Sequence, residues 1–293
     1  MSQLLIIDGH AYAYRAFYAI RELRAADGQP TNAIYGFIKM VEKMRLALQP
    51  THLIVVWDGG LNAERMALLP EYKANRAETP ADLRPQFDQI RDYLAAAGFA
   101  DLQVEGVEAD DYIGCLARHA AGAGWRVVIA SSDKDFMQLV SEHVGLLNPN
   151  DKSGTIWGAV QVRAKSGVEP EQVPDWLALM GDTVDNIAGV PGVGPKTAAE
   201  LLKQFGSVNG LLERLSEVKS EKLRASLSAA AERVRRNLTM VRLLAVPCEF
   251  VPEKLAPQPA NYGQLRNLFQ RWSFNGMLAE LETRMPEQQA ELI

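Results

Sequence analysis

Nine carboxylates stand in five groups along the 293 residues: Asp8; Asp58; Glu108 with Asp110 and Asp111; Asp133 with Asp135; and Asp182 with Asp185. The first four groups follow or closely track apolar, strand-like runs: Leu4 to Ile7 before Asp8, His52 to Trp57 before Asp58, and Val127 to Ala130 before Asp133. Acids that leave successive strands of an alternating α/β chain collect along one edge of a parallel sheet, where such folds place their sites. Gathered there, they repel one another unless cations lie between them. A donor set made only of oxygen suits Mg²⁺ better than zinc, with Mn²⁺ as a substitute. Two such ions can activate a water and stabilise the leaving oxygen of an in-line displacement, so the chemistry indicated is phosphoryl transfer. No nucleophilic serine or cysteine constellation and no phosphate loop ending in Gly-Lys-Ser/Thr accompanies them, which disfavours nucleoside triphosphate chemistry.

Each group taken alone has a plainer explanation. Glu108, Asp110 and Asp111 open a helix, where acids suit the dipole and the cap. Asp133 and Asp135 could simply shape a turn. Their recurrence at one sheet edge favours the metal reading, and Glu108 and Asp111, three apart on a helix, can share one face and reach one ion.

A second signal is the glycine-rich stretch from Gly189 to Lys196. Ile187, Val190 and Val193 supply apolar anchors, and Gly192 and Gly194 let the backbone approach a ligand closely. The N–H groups opening the next helix can hold a phosphate, with Lys196 adding charge. Read as a helix–hairpin–helix, it grips duplex backbone; the plain alternative is a helix connector. Residues 59 to 82 form a long excursion holding Arg65, Tyr72, Lys73 and Arg76 among Glu64, Glu71, Glu78 and Asp82. Its composition fits a mobile surface loop. Functionally, Lys73 and Arg76 could reach phosphates while Tyr72 stacks on a base. Arg15 is a further phosphate candidate.

The elements needed to position these residues are legible in the spacing. Strand and helix alternate over the first ~150 residues, with Ile34, Phe37, Ile38, Val41 and Met44 at helical spacing and a break at Gln49-Pro50. Leu83, Phe87, Ile90 and Leu94 mark a helix ending near Gly98. A short strand is expected over Leu102 to Val104 and Gly106-Val107, a helix from about Asp110, and a strand over Arg126 to Ala130. From about Pro170 the pattern is helical, without clear strands. Residues 252–261 are proline-rich, and Leu265, Leu268, Phe269 and Trp272 indicate a last helix.

Bulk properties exclude several classes. Hydrophobic content of 47% with mixed charge describes a globular chain. No apolar run reaches membrane-spanning length and no signal peptide opens the sequence, so a cytoplasmic, monomeric protein with no membrane partner is expected. Cys115 and Cys248 look too few and too far apart for a disulfide framework or a zinc site, and His10, His52, His119 and His143 lack ligand spacing. The net charge of −5 becomes +4 once the nine carboxylates are set aside, which permits a polyanionic partner.

With these residues in view, the chain resembles the 5′-nuclease domain of bacterial DNA polymerase I and its flap-endonuclease relatives. The resemblance rests on Asp8-Gly9-His10 with Tyr14-Arg15, Tyr35-Gly36-Phe37, Tyr72-Lys73-x-x-Arg76, Glu108-Ala109-Asp110-Asp111 and Asp133-Lys134-Asp135. It continues through Gly181-Asp182-x-x-Asp185-Asn186 and Gly192-Val193-Gly194-x-Lys196-Thr197-Ala198. It implies an α/β, PIN/Rossmann-like fold: a mostly parallel central sheet flanked by helices, with a helical helix–three-turn–helix DNA-binding subdomain. The implied organisation is a nuclease core over 1–170 with an arch at about 59–82, the DNA-binding subdomain over 171–250, and a connector with a helix packing on the core over 251–293. The implied activity is Mg²⁺-dependent 5′-3′ exonuclease and flap endonuclease cleavage of DNA at single-strand/duplex junctions, in replication and repair.

By the same resemblance Asp8, Asp58, Glu108, Asp110 and Asp111 serve a first metal, with Asp110 catalytic, and Asp133, Asp135, Asp182 and Asp185 a second. Lys73 sits near the scissile phosphate, Arg76 holds the 5′ strand, and Tyr72 stacks. Arg15, Gly192, Gly194, Lys196 and Thr197 contact DNA, and K⁺ binds at the hairpin. The implied partner is branched or nicked duplex DNA with a 5′ single strand, RNA–DNA primers included. No polymerase or proofreading domain follows, so a standalone nuclease or an excised domain is expected, active because its second-metal set is intact. A non-catalytic junction binder and a PIN-type ribonuclease are the competing readings.

Overall fold

Leu4–Ile7 and Leu53–Trp57 are uninterrupted apolar runs, each residue at most 4% exposed, and Val127–Ala130 is equally apolar and buried. Runs of this kind belong to strands covered on both faces, which is the environment of a parallel sheet. The structure, a computed structural model, describes residues 2–151 and 153–290. Its first half runs β1 (Gln3–Asp8), α1 (Gly9–Ala19), α2 (Asn32–Leu48), β2 (His52–Trp57), α3 (Ala63–Leu68), α4 (Arg84–Ala96), β3 (Ala100–Gln103), α5 (Ala109–Gly122), β4 (Arg126–Ala130), β5 (Val144–Leu147) and β6 (Ile156–Trp157). It continues through α6 (Ala159–Ser166), α7 (Val173–Met180), β7 (Gly181–Asp182), β8 (Ile187–Ala188), α8 (Pro195–Phe205), α9 (Val208–Glu213), α10 (Glu221–Ala229) and α11 (Ala231–Val241). The last helices are α12 (Pro252–Leu255), α13 (Tyr262–Arg271) and α14 (Asn275–Ala290).

The chain forms two units, one of residues 1–57, 78–103 and 250–293, the other of 58–77 and 104–249. In the first unit β1 pairs with β2 and β2 with β3, both parallel, with Ile6 opposite Ile54 and Val56 opposite Leu102. α2 ends where Gln49 takes a left-handed φ of 46° ahead of Pro50, the stop that the sequence places there. Its start lacks a side-chain cap of its own. Buried Gln86 instead accepts from the N–H groups of Ala33 and Ile34, at 2.8 and 3.2 Å. Trp57 lies against Gly9, where a Cβ would come within 2.6 Å of the indole, so the bulky residue at the end of β2 depends on a glycine after β1.

In the second unit β4 and β5 pair in parallel and β6 adds antiparallel to β5. The α/β class with mostly parallel strands is as expected. Local differences have local causes. The third strand covers Ala100–Gln103, earlier than its apolar residues suggest, while Gly106-Val107 turns against Gly59: Gly59 N–H donates to Val107 O at 3.0 Å and Gly106 N–H to Gly59 O at 2.9 Å. The segment read as strand-free holds the short antiparallel pair β7–β8, with Asp182 opposite Ile187. Two residues per strand are too few for any periodicity to reveal. Gly181, at φ 79°, has no room for a side chain, since a Cβ would lie 2.4 Å from Gly189 N. Among the described residues no helix is long and apolar enough to cross a membrane.

Candidate metal centre

α5 begins at the first acid group. Glu108 occupies its N-cap position, yet its side chain makes no capping bond, and Asp110 and Asp111 fill the first turn. Carboxylate oxygens of Glu108, Asp110 and Asp111 lie within 4.8 Å of one another. Their internal counter-charge is Arg65 on α3, a residue to which the sequence assigns no role. Asn62 caps this short helix by accepting from Glu64 N–H and Arg65 N–H. Arg65 is 3% exposed and meets Asp111 as a planar fork, Nη1 to Oδ2 and Nη2 to Oδ1 both at 2.8 Å. It also donates to Glu108 Oε2, to Met240 O at 3.1 Å and to Arg242 O at 3.0 Å. Asp111 Oδ1 accepts in addition from Leu244 N–H at 2.8 Å. Asp111 thus has both oxygens committed to the protein, whereas Asp110 keeps 15% of its side chain exposed.

Burial pushes the Asp110 carboxyl up to about 8; Lys73 and Arg65 oppose the shift while Glu108 and Asp111 add to it. Asp111 is also raised by burial, held back by its bonds to Arg65.

The second group is drawn from two places. A 3₁₀ turn over Lys134–Leu139 follows β4, and its N-cap Asp133 accepts from Asp135 N–H at 2.9 Å, so the turn explanation of Asp133 also holds. β7 and the turn after it bring Asp182 and Asp185. Oxygens of Asp135, Asp182 and Asp185 fall within 4.8 Å of one another, and all three residues are buried. Lys134 pairs with Asp182 at 2.8 Å and Arg76 with Asp185 at 2.7 Å. Asp135 Oδ1 is buried with no hydrogen-bond partner, an orphaned acceptor that a cation would satisfy. Burial raises Asp135 well above the usual carboxylate range, reinforced by Asp133, Asp182 and Asp185. Burial raises Asp133 as well.

The segment 71–76 joins the two groups. Tyr72 OH lies 3.5 Å from both Glu108 Oε2 and Asp185 Oδ2. Lys73 Nζ is 2.5 Å from Glu108 Oε1 and 4.8 Å from the centre of the Tyr72 ring. Burial pulls the Lys73 ammonium down, but Asp110, Glu108 and Asp185 outweigh it and the net shift is upward. Lys73 holds a left-handed φ of 57°, a conformation uncommon outside glycine. Three bonds to the 182–186 turn fix it there: Lys73 N–H to Asp185 O at 3.1 Å, Asn75 Nδ2 to Thr183 O at 2.7 Å, and Asn186 Nδ2 to Glu71 O at 2.8 Å. This corrects two expectations. Residues 65, 72 and 73 are buried rather than displayed on a surface loop, and Tyr72, at 2% exposed, offers no ring face to a base. The polar ends of Arg65, Tyr72 and Lys73 are satisfied by carboxylates, which is why so polar a segment folds inward.

The other expected residues are placed as follows. Asp8 ends β1 in the first unit and caps α1 by accepting from Ala11 N–H at 3.0 Å; Arg15 lies half-buried on α1. Asp58 accepts from Gly60 N–H at 3.1 Å. In the hairpin, Val190 and Val193 are buried, Gly192 has φ 83° with open space beyond its Cα, and Gly194 caps α8. Lys196 is exposed and Thr197 half-buried. Distance in sequence is not distance in space for the two cysteines. Cys115 and Cys248, far apart in sequence, meet in the fold with His119, ligand atoms of the three lying within 4.8 Å.

An α/β protein with two carboxylate clusters, joined by the segment that carries Tyr72, Lys73 and Arg76, is by class one with donor sets that could hold metal ions. Comparison with known proteins narrows this. Residues 3–167 match the family described as 5′-3′ exonuclease, N-terminal resolvase-like domain, and residues 168–286 match 5′-3′ exonuclease, C-terminal SAM fold. The chain belongs to the 5′-3′ exonuclease family. It is 37% identical over 284 residues to a 5′-3′ exonuclease of Aquifex aeolicus, covering 96% of each protein. It is 38% identical over 296 residues to DNA polymerase I of Bacillus caldotenax, with 99% of this chain and 33% of the polymerase aligned. The chain therefore spans about a third of that polymerase's length. Among solved structures, T5 5′-exonuclease with divalent zinc ions bound superposes with a TM-score of 0.69 at 24% identity, over 92% of this chain and 99% of that one. The catalytic core of Rad2 in complex with DNA substrate gives 0.64 at 15% identity, over 92% and 87%. These two likenesses are of fold.

Proposed function

We propose that this chain is a divalent-metal-dependent, structure-specific 5′-3′ exonuclease and flap endonuclease acting on DNA phosphodiesters near single-strand/duplex junctions. The observation that carries the proposal, within a 5′-3′ exonuclease family fold, is the convergence of Asp135, Asp182 and Asp185 around an orphaned buried oxygen. Three buried acids, one of them with an oxygen that lacks a hydrogen-bond partner, fit a hard cation, and Mg²⁺, with Mn²⁺ in its place, is the ion that an all-carboxylate set selects. When bound, such an ion supplies Lewis-acid polarisation of phosphate and a more acidic water.

The chain's own residues do the rest. Glu108 and Asp110 offer oxygens at the first group, with Asp8 and Asp58 assigned there by the family resemblance. Asp133, Asp135, Asp182 and Asp185 form the second group. Asp111, both oxygens engaged, acts by holding Arg65 and so orienting Glu108. Lys73 and Arg76 now pair with Glu108 and Asp185. Were a cation to take up the charge of those acids, Lys73 and Arg76 would be free to turn toward the phosphate and neutralise charge that develops on its oxygens. Tyr72 serves this switch from its buried position between the two groups.

Exposed Lys196, with Thr197 and the open backbone at Gly192 and Gly194, grips duplex phosphates, with Arg15 as a further phosphate contact and K⁺ as the cation suited to the hairpin. Partners in this reading are nicked or branched DNA bearing a 5′ single strand, RNA–DNA primer strands included.

The deciding experiment offers 5′-labelled flap, nicked, overhang and single-stranded DNA to the protein in Mg²⁺, in EDTA, and as Asp110→Asn. Cleavage should need Mg²⁺, favour junctions and vanish in the variant. Binding without cleavage under every metal condition would instead establish a junction-binding protein.

A further inference from the structure

Cys115 and His119 are four apart on α5 and therefore share one face. The irregular strap after α11 delivers Cys248 to that face. The strap is held against α5 by Leu244 N–H to Asp111 Oδ1 at 2.8 Å, Arg118 Nη2 to Leu243 O at 2.9 Å, and the Cys115 thiol to Val246 O at 3.3 Å. Cys248 Sγ lies 3.6 Å from His119 Nδ1, and all three ligand atoms fall within 4.8 Å of one another. A tetrahedral ion with sulfur at about 2.3 Å and imidazole nitrogen at about 2.0–2.1 Å separates those two donors by about 3.6 Å. We propose that Cys115, His119 and Cys248 form a second, chemically distinct metal site for a thiophilic d¹⁰ cation such as Zn²⁺, with the fourth position open to solvent.

The donor set separates this site from the acid clusters. Two sulfurs and one imidazole select borderline-soft ions, whereas the carboxylates select Mg²⁺. Burial and the neighbouring Cys115 push the Cys248 thiol up to about 12. An ion must therefore displace the Cys248 proton, which a thiophilic cation does and Mg²⁺ does not. Cys115 is buried, Cys248 half-buried and His119 exposed, so the site can be entered from solvent. Its ion would staple the strap to α5, the helix that begins at Glu108, without touching the acids.

The test is a Co²⁺ titration of the reduced full chain in excess Mg²⁺, which occupies the carboxylates. Thiolate-to-cobalt charge-transfer absorption should rise to saturation at one equivalent and disappear on adding Zn²⁺. Oxygen sites give no such band. Cys248→Ser should lose the band, and His119→Asn should weaken cobalt binding at least tenfold. Both variants alter residues at the surface of the site and should keep metal-free melting temperature and nuclease activity. Absence of the band in the parent protein at equimolar Co²⁺, or a band unchanged in Cys248→Ser, overturns the assignment. The parent titration is decisive even if a variant folds poorly.

Discussion

Replacing Arg65 with methionine removes a group that contacts Glu108, Asp111 and the strap together. The methionine side chain replaces the aliphatic stem, so the packing along it is largely kept while one charge and five donors disappear. Three losses follow. The fork to Asp111 is broken, leaving that carboxylate, 0% exposed, to the Leu244 N–H. Glu108 retains Lys73 and the more distant Tyr72 hydroxyl. The carbonyls of Met240 and Arg242 lose their guanidinium donor. Removing one partner of a buried ion pair costs about 3–5 kcal/mol, because the surviving charge stays out of water. Against a typical domain stability of about 5–15 kcal/mol, that is at least about a fifth of the total. Urea unfolding in EDTA, followed by tryptophan fluorescence, should show a midpoint lowered by that energy divided by the slope, with little change in the slope itself. Arg65→Lys should fall between variant and parent, since an ammonium keeps the charge and loses the fork. A cost below about 1 kcal/mol for Arg65→Met in EDTA would refute the view that this guanidinium balances the first acid group.

Asp135→Asn removes one of the mutually repelling buried charges, so in EDTA it should raise the melting temperature, while the rise on adding Mg²⁺ should shrink or vanish; the parent should gain about 2.7 kcal/mol at ~100 times the ion's dissociation constant. Acid groups whose pKa is raised in the fold hold protons that the unfolded chain has released. Their contribution is full below the ordinary carboxylate value of 3.8 and is lost as pH rises toward the value of about 8 at Asp110, with Asp133 and Asp135 shifted the same way. Metal-free melting temperature should therefore fall between pH 5 and 8, and saturating Mg²⁺ should flatten the slope. Lys73→Ala should cut single-turnover cleavage far more than DNA affinity; Lys196→Ala should do the reverse and lower the salt slope of duplex binding by about 1.

What could be read from the chain, and what could not, follows from the range of the interactions involved. Strands such as Leu4–Ile7 announce themselves because a doubly covered strand has no polar face. The acids at their exits are legible for the same reason, each standing where an apolar run stops. Arg65 is not legible: its helix has six residues, too short for an amphipathic pattern, and it sits in a segment of mixed charge. Tyr72 and Lys73 look like surface residues because burial of polar groups depends on partners more than thirty positions away. The meeting of Cys115 with Cys248 depends on how the strap crosses α5, which no local pattern encodes.

The anchoring of Arg65 has a kinetic consequence. Its bond to Met240 O closes a separation of 175 residues, and the Asp111–Leu244 bond closes 133. Contacts this distant are formed only after loop-closure entropy has been overcome by nearer ones, so they arrive late in folding. During synthesis the acids of α5 emerge from the ribosome well before the strap that sets their geometry. Pulse-labelled hydrogen exchange during refolding should show the Leu244 amide gaining protection after amides of β4 and α5. A nascent chain that has not yet released the strap would then carry the carboxylates without a finished centre, so the acid group is completed only once residues 241–249 have emerged.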